Sequence, residues 1–249
     1  MADHGGRERR DFLKQVGAIA GAVPISHRVI GIASVGVVAA AASSAQAADS
    51  PPAAPFTGYQ FFGPDEATFV EALVNVMCPA DDLTPNGVDC GLATFIDRQL
   101  AGAFGAGRGR YMRGPWRKGK PQLGLQLPLA PRQFFNVGIA AAREACAKKY
   151  NKSFDLLAPA DASAFLADVA AGRVSDPQVP LAPWFNELVY PLFAQACFAD
   201  PLYGGNNDKV FWKMVGYPGL PATHTLDMVQ YRGKQYPGAA APKSIVDFS

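Results

Sequence analysis

The sequence predicts an all-α protein, organised as a single irregular helical domain of about six helices with long Pro/Gly loops. Apolar residues recur at helical spacing in the segments between these loops. No sustained alternation of apolar and polar residues indicates a strand. The 21 prolines and 25 glycines follow neither a collagen period nor a repeat period, and they are typical of loops that separate helices.

The first three helices are predicted from their apolar stripes and their proline starts. Pro64 and the two acidic residues after it are typical of a helix N-terminus, and Pro79 ends this first helix. A second helix is expected over about Gly91 to Ala101, because its apolar residues share one face. A third helix is expected from near Pro131 to Tyr150.

Three more helices are expected in the second half of the chain. Pro159 begins the fourth, which ends at Gly172. The fifth runs from Pro183 through Ala196, and Pro191 inside it predicts a kink or a break. A short sixth helix spans about 207–215. The tail that follows is punctuated by proline and glycine, and we expect it to lie on the surface.

The N-terminus has the pattern of a twin-arginine export signal. Apolar, Ala/Gly-rich sequence follows the motif, and Ala45 and Ala47 form a small-x-small cleavage site. We expect cleavage after Ala47, which leaves 202 residues. Residues 1–47 are then the signal, 48–60 a flexible spacer and 61–249 the helical domain. The motif residues are Arg9, Arg10, Phe12, Leu13 and Lys14.

A retained membrane anchor is the alternative for this N-terminal segment. The apolar run from Val29 to Ala42 has 14 residues, whereas a helix needs about 20 to span a bilayer. A longer span would bury Arg28, at a cost of about 3 kcal/mol near mid-bilayer. These two observations favour a cleaved signal.

The export route predicts a periplasmic protein and constrains its function. The twin-arginine pathway carries proteins that are already folded, usually because a cofactor has been inserted in the cytoplasm. The chain therefore holds a cofactor or travels with a partner that holds one. A formal net charge of +2 gives no reason to expect a nucleic-acid partner, since phosphate neutralisation usually needs more positive charge.

We find no motif for a cofactor, a metal or a catalytic centre in this chain. Gly102 to Gly109 is glycine-rich but follows a predicted helix rather than a strand, so it is a poor nucleotide loop. Asp81, Asp82 and Asp89 could bind calcium but lack EF-hand spacing, and a capped, solvated loop is favoured. His224 is the one histidine left after cleavage, and no nucleophile motif accompanies it.

The four cysteines are too dispersed for the usual iron–sulfur spacings, and no Cys-x-x-Cys-His haem motif is present. Cys78 and Cys90 flank a short loop and are our disulfide candidate in an oxidising compartment. Closing such a loop stabilises the folded state by about 3 kcal/mol in the entropic model. Four cysteines allow three pairings, and Cys146 and Cys197 also fit as buried thiols in helical stripes.

A basic segment between the second and third predicted helices is a candidate docking loop. From Arg98 to Arg143 the chain has nine basic residues and no acidic one. Arg113 and Trp116 belong to the residue types enriched at interface hot spots, so we include both in a predicted partner interface. A solvated surface loop is the alternative.

Two patches of sequence resemble the small subunit, subunit 3, of the gluconate 2-dehydrogenase family. The first patch runs from Phe69 to Leu100, although Pro85-Asn86-Gly87-Val88 replaces a Pro-Gly-Ala common in the family. The second and more specific patch is Tyr203-Gly204-Gly205-Asn206, followed by Trp212 and by Gly216-Tyr217-Pro218-Gly219. The resemblance spans about 61–219.

This resemblance implies a three-part bacterial enzyme. A large FAD-bearing subunit of the glucose–methanol–choline type oxidises a sugar or sugar acid, and a multihaem cytochrome c subunit passes the electrons to the quinone pool. The small subunit carries no cofactor, supplies the export signal and helps the large subunit mature. It meets the membrane only through the complex.

The specific patch supplies the rest of the predicted partner interface, since glycines let backbones approach and aromatic residues anchor a partner. The alternative is that the Tyr-Gly-Gly-Asn run is an internal turn and Trp212 a core residue. A stand-alone exported enzyme and an exported binding or scaffold protein are the other functions left open. The interface residues of this patch are Tyr203, Gly204, Gly205, Asn206, Trp212, Tyr217 and Pro218.

Replacing Arg9 and Arg10 by lysine should abolish export, because the twin-arginine pathway depends on both guanidinium groups. We expect this chain and its partner both to accumulate in the cytoplasm, as measured by fractionation and immunoblotting. A partner that still reaches the periplasm would show that it does not depend on this chain for export.

Overall fold

The computed structural model describes residues 58–117, 119–120, 123–124, 126–221 and 223–248. The predicted export motif and the cleavage site lie outside the described residues. The described chain is built of helices and loops without a strand, which confirms the all-α prediction. Gly219 and Lys243 form an isolated parallel bridge.

Seven helices occupy the described residues, the fifth of them built from three consecutive segments. They are α1 (Pro64–Met77), α2 (Leu92–Ala101), α3 (Pro131–Tyr150), α4 (Pro159–Ala170), α5 (Leu181–Trp184, Phe185–Val189 and Tyr190–Phe198), α6 (Val210–Val215) and α7 (Thr225–Gln230). Short 3₁₀ turns lie at Phe154–Leu156, Pro201–Tyr203, Asn207–Lys209, Pro237–Ala240 and Ile245–Phe248.

The first four helices begin within one residue of their predicted starts. The sixth predicted helix is shorter than expected, because Asp208 and Lys209 have left-handed φ values of 55° and 58°, and the α-helix begins only at Val210. Apolar periodicity did not predict α7, because the apolar side chains of this helix do not form a buried stripe. Leu226, for example, is 82% exposed.

The middle segment of α5, Phe185–Val189, is a π-helical turn. The amide of Tyr190 donates to the carbonyl of Phe185, five residues earlier. Pro191 follows at once and has no amide hydrogen, and its ring crowds the preceding turn of an α-helix. The wider turn relieves this conflict without ending the helix. The kink predicted at Pro191 therefore takes the form of a π-turn.

The packing of α5 on α3 depends on a glycine. Trp184 is fully buried, and its indole Nε1 donates to the carbonyl of Phe135 at 3.2 Å. A Cβ at Gly138 would lie 2.0 Å from that same nitrogen. The indole thus occupies the space that any side chain at this position of α3 would need. The surrounding buried residues of α1 to α5 form one continuous apolar core.

A buried carboxylate fixes the start of the described chain to α2. Asp97 is 1% exposed and accepts hydrogen bonds from the amides of Gln60, Phe61 and Phe62 at 2.7, 2.8 and 2.9 Å. The ring of Phe62 then stacks on Phe135, with centroids 5.8 Å apart. The three amides compensate the burial of the carboxylate, since charge-assisted hydrogen bonds are stronger than neutral ones.

Replacing Asp97 by alanine should lower the free energy of unfolding by about 2–4 kcal/mol, because three amides lose their acceptor in a partly buried site. Urea denaturation followed by circular dichroism measures the change. Asp82→Asn is the matched control, since Asp82 is exposed and such surface changes stay within about 0.5 kcal/mol. Equal stability of the two variants would contradict the structural role of Asp97.

Candidate docking surface

The Tyr-Gly-Gly-Asn run forms a tight turn between α5 and α6. Gly204 has a φ of +94°, which favours glycine. A Cβ at Gly205 would lie 2.5 Å from the carbonyl oxygen of Ala196 in α5, and one at Gly91 would lie 2.3 Å from that of Gly204. The backbone of the turn therefore lies directly against the end of α5 and the start of α2.

Asn206 and Asn207 fasten this turn to its neighbours. Asn206 is fully buried, and its backbone has a left-handed φ of 50°. Its side-chain Nδ2 donates to the carbonyl of Ala199 at 3.1 Å, and its Oδ1 accepts from the backbone amide of Phe211 at 3.0 Å. The amide of Asn207 donates to the carbonyl of Cys90 at 3.1 Å. The two residues join the end of α5, the start of α6 and the loop before α2.

The predicted interface residues separate into buried and exposed groups. Gly205, Asn206 and Trp212 lie inside the fold, as the internal-turn alternative expects. Gly204 and Pro218 are half-buried. Tyr203 and Tyr217 are 49% and 43% exposed, so their rings are accessible to a partner. The buried residues act here by shaping the surface that the two tyrosines occupy.

Large apolar side chains are exposed around this turn, and we call them the C-terminal apolar surface. The buried Trp212 links two of its members: its indole donates to the carbonyl of Phe198 at 2.9 Å and packs edge-on against the ring of Tyr217. The 3₁₀ turn Pro201–Tyr203 contacts the turn Ile245–Phe248. The members are Phe198, Leu202, Tyr203, Tyr217, Ile245, Val246 and Phe248, which are 39–68% exposed.

Polar contacts hold the last turn of the chain on this surface. The amide of Ile245 donates to Asp200 at 2.9 Å, and Lys209 forms a 2.5 Å ion pair with Asp247. The hydrogen bond from Lys209 lowers the pKa of Asp247 to about 2, with a contribution from the amide of Ser244. The sequence did not predict that these residues meet. The apolar pair Ile245-Val246 beside Asp247 was the signal that could have marked this part of the tail.

A histidine lies at the centre of a polar cluster in the tail. The Nδ1 of His224 lies 3.0 Å from Asp227, and its Nε2 lies 3.2 Å from the carbonyl of Gly219. Tyr236 also donates to Asp227 at 3.2 Å. Both imidazole nitrogens face acceptors, so the protonated ring satisfies both contacts. The hydrogen bond to Asp227, and then the one to Gly219, raises the pKa of His224.

The acidic loop before α2 uses its carboxylates for capping. Asp81 accepts from the amides of Leu83 and Thr84 at 2.9 and 2.8 Å, and Asp89 accepts from Asn86 at 2.6 Å. Within the described ranges, no three His, Cys, Asp or Glu side chains are placed to hold a metal. Among the residues that the structure describes, no helix is both long and apolar enough to cross a membrane.

The two cysteines of the candidate disulfide converge on one carbonyl. Both are buried, and their Sγ atoms lie 3.8 Å (Cys78) and 3.5 Å (Cys90) from the carbonyl oxygen of Pro85. This places both sulfurs beside the same short loop. The disulfide itself stays a prediction.

The fold and these contacts define a helical protein that exposes aromatic and aliphatic side chains together around the turn between α5 and α6. A family model described as gluconate 2-dehydrogenase subunit 3 matches residues 64–219, which is more than half of the chain. The chain belongs to this family, which confirms the resemblance found in the sequence. No curated protein and no solved structure matches this chain.

The two contacts of His224 predict an apparent pKa above the ordinary value of about 6.5. A raised pKa stabilises the folded tail below pH ~6.5, and this contribution disappears as the pH rises through the folded-state pKa. NMR titration of the ring protons measures it, with His224→Gln for assignment. Asp227→Asn should lower the pKa, whereas Asp208→Asn, at an exposed carboxylate, should not. A pKa at or below 6.5 would contradict the arrangement.

Proposed function

We propose that this chain is the non-catalytic small subunit of a periplasmic, flavin-dependent dehydrogenase of sugars or sugar acids. It binds the large flavin subunit, escorts it through the twin-arginine pathway and stabilises it afterwards. Family membership supports an accessory subunit of a gluconate 2-dehydrogenase type complex. In this proposal the large subunit holds FAD, and a multihaem cytochrome c subunit holds the haem groups.

The C-terminal apolar surface is the observation that carries this proposal. Exposed apolar residues are ordinary when they occur singly, but a contiguous group of them is typical of an interaction site. Tyrosine and phenylalanine supply much of this surface, and aromatic residues are enriched at interface cores. Covering it with a partner removes apolar area from water, which favours association.

The charges near this surface suggest the chemistry of the partner. Lys213 of α6 and Lys243, whose backbone is hydrogen-bonded to Pro218 and Leu220, are exposed and form no ion pair within the described residues. Lys209, in contrast, is neutralised by Asp247. A partner surface with an apolar centre and an acidic rim would complement this arrangement and steer the encounter.

Purification of the tagged chain from its native periplasm tests the proposal. The eluate should contain a large flavoprotein with a flavin absorption spectrum, and it should reduce an artificial electron acceptor when the right sugar or sugar acid is added. A colourless single chain, obtained under conditions that preserve complexes, would contradict the proposed function.

Charges introduced on the apolar surface should release the flavoprotein. In the variant Leu202→Glu with Phe248→Glu, both altered side chains are exposed, so the fold should persist while buried charge opposes docking. We expect recovery of the flavoprotein to fall at least tenfold, measured by flavin absorbance per mole of chain.

The matched control is Leu83→Glu with Leu156→Glu. These two leucines are 69% and 68% exposed; Leu83 lies in the loop before α2, and Leu156 ends the 3₁₀ turn before α4. The control should retain the flavoprotein. Equal recovery with both double variants would show that docking uses another part of the chain.

A further inference from the structure

A second surface of different chemistry lies at the loop between α2 and α3. This loop, together with α3 and α5, encloses a groove of about 390 Å³. Met112, Leu129 and Phe134 supply apolar walls, and Arg110 and Trp116 supply a cation and an aromatic ring. Other side chains of the groove come from the π-turn of α5, a kind of turn that is frequent at functional sites.

The loop beside this groove is rich in positive charge, and Arg110 places one of its cations in the groove wall. Arg143, farther along α3, is paired with Asp65 of α1. The remaining cations of the loop form no ion pair within the described ranges, and all are exposed. They are Arg108, Arg110, Arg113, Arg117 and Lys120.

The same loop also exposes side chains that favour protein contacts. Tyr111 is 80% exposed and Leu123 is 66% exposed, and both line the groove. Arg110 is held with its guanidinium 5.9 Å from the centroid of Phe104. A cation fixed near apolar and aromatic walls can bind a carboxylate beside a large apolar side chain.

We propose that this groove binds an extended acidic segment of a protein partner. One large apolar side chain of the segment lies against Phe134 and Leu188, and its carboxylates lie on Arg110, Arg113 and Arg117. The proposal deepens the proposed function and rests on it only for the presence of a protein partner.

The shape and the charges of the groove favour a peptide over an anionic membrane. A bilayer presents a broad anionic surface, whereas this groove is concave and has an apolar floor. Glu187 also lines the groove, and its carboxylate opposes a dense layer of phosphates. A peptide can place its acidic residues on the arginines and an apolar residue opposite Glu187.

Tryptophan fluorescence of the full chain tests this binding. Trp184 and Trp212 are 0% and 6% exposed, so the change should come from Trp116. The probe is the blocked pentapeptide Asp-Glu-Phe-Glu-Asp, and we expect a saturable change that weakens as salt rises from 50 to 300 mM. A Lys-Lys-Phe-Lys-Lys peptide should not bind.

The arginines are tested with charge reversals at exposed positions. Arg113→Glu with Arg117→Glu should weaken the acidic peptide at least tenfold, with an unchanged circular dichroism spectrum. Arg232→Glu with Lys234→Glu makes the same change in net charge at two exposed positions outside this loop, and it should leave the affinity within twofold.

Three results would overturn the proposal: no saturable binding of the acidic peptide, an equal loss in both double variants, or binding to vesicles of one part phosphatidylglycerol and three parts phosphatidylcholine without binding to the peptide. The titration contains no flavoprotein. Its failure is therefore distinguishable from failure of the proposed function, which co-purification measures.

Discussion

The close contact of backbones at Gly91, Gly204 and Gly205 is the constraint on which the C-terminal part of the molecule depends. Side chains at these positions would overlap carbonyl oxygens or neighbouring side chains. Asn206 can hold its left-handed backbone conformation there because its buried side chain makes two hydrogen bonds, one to the carbonyl of Ala199 and one from the backbone amide of Phe211. If this contact opened, α6 would lose its connection to α2 and α5, and the apolar side chains displayed around it would lose their arrangement.

The sequence predicted the helices that bury a regular stripe, and it failed where tertiary contacts decide the structure. The helices α1 to α4 combine apolar periodicity with a proline or glycine near their start. The short α7 exposes Met228 and has no such stripe. The family motif located the turn correctly, but no local pattern shows that Asn206 points inward. The contact of Ile245 with Asp200 joins residues 45 positions apart, which only the folded chain reveals.

The C-terminal apolar surface combines two parts of the chain with different relations to the family. Phe198 to Tyr217 lie within the matched residues 64–219, whereas Ile245–Phe248 lies beyond them. The tail returns to this surface through the backbone of Lys243. Its carbonyl accepts from the amide of Leu220 at 2.8 Å, and its amide donates to the carbonyl of Pro218 at 2.9 Å. A segment outside the family match thus enlarges a surface that begins inside it.

The π-turn in α5 also decides where the length of this helix can change during evolution. A π-turn holds one residue more than the α-helical turn it replaces, because its hydrogen bond joins residues five apart and not four apart. Removing one residue inside Phe185–Val189 therefore restores an α-helical turn without rotating the two parts of α5 against each other. The part before the turn is fixed by Trp184 on Phe135, and the part after it by Ala196 against Gly205, whereas a deletion between the turn and Ala196 would rotate one part by about 100° and break one of these contacts. Pro191 favours keeping the extra residue, since its ring conflicts with a regular α-helical turn before it.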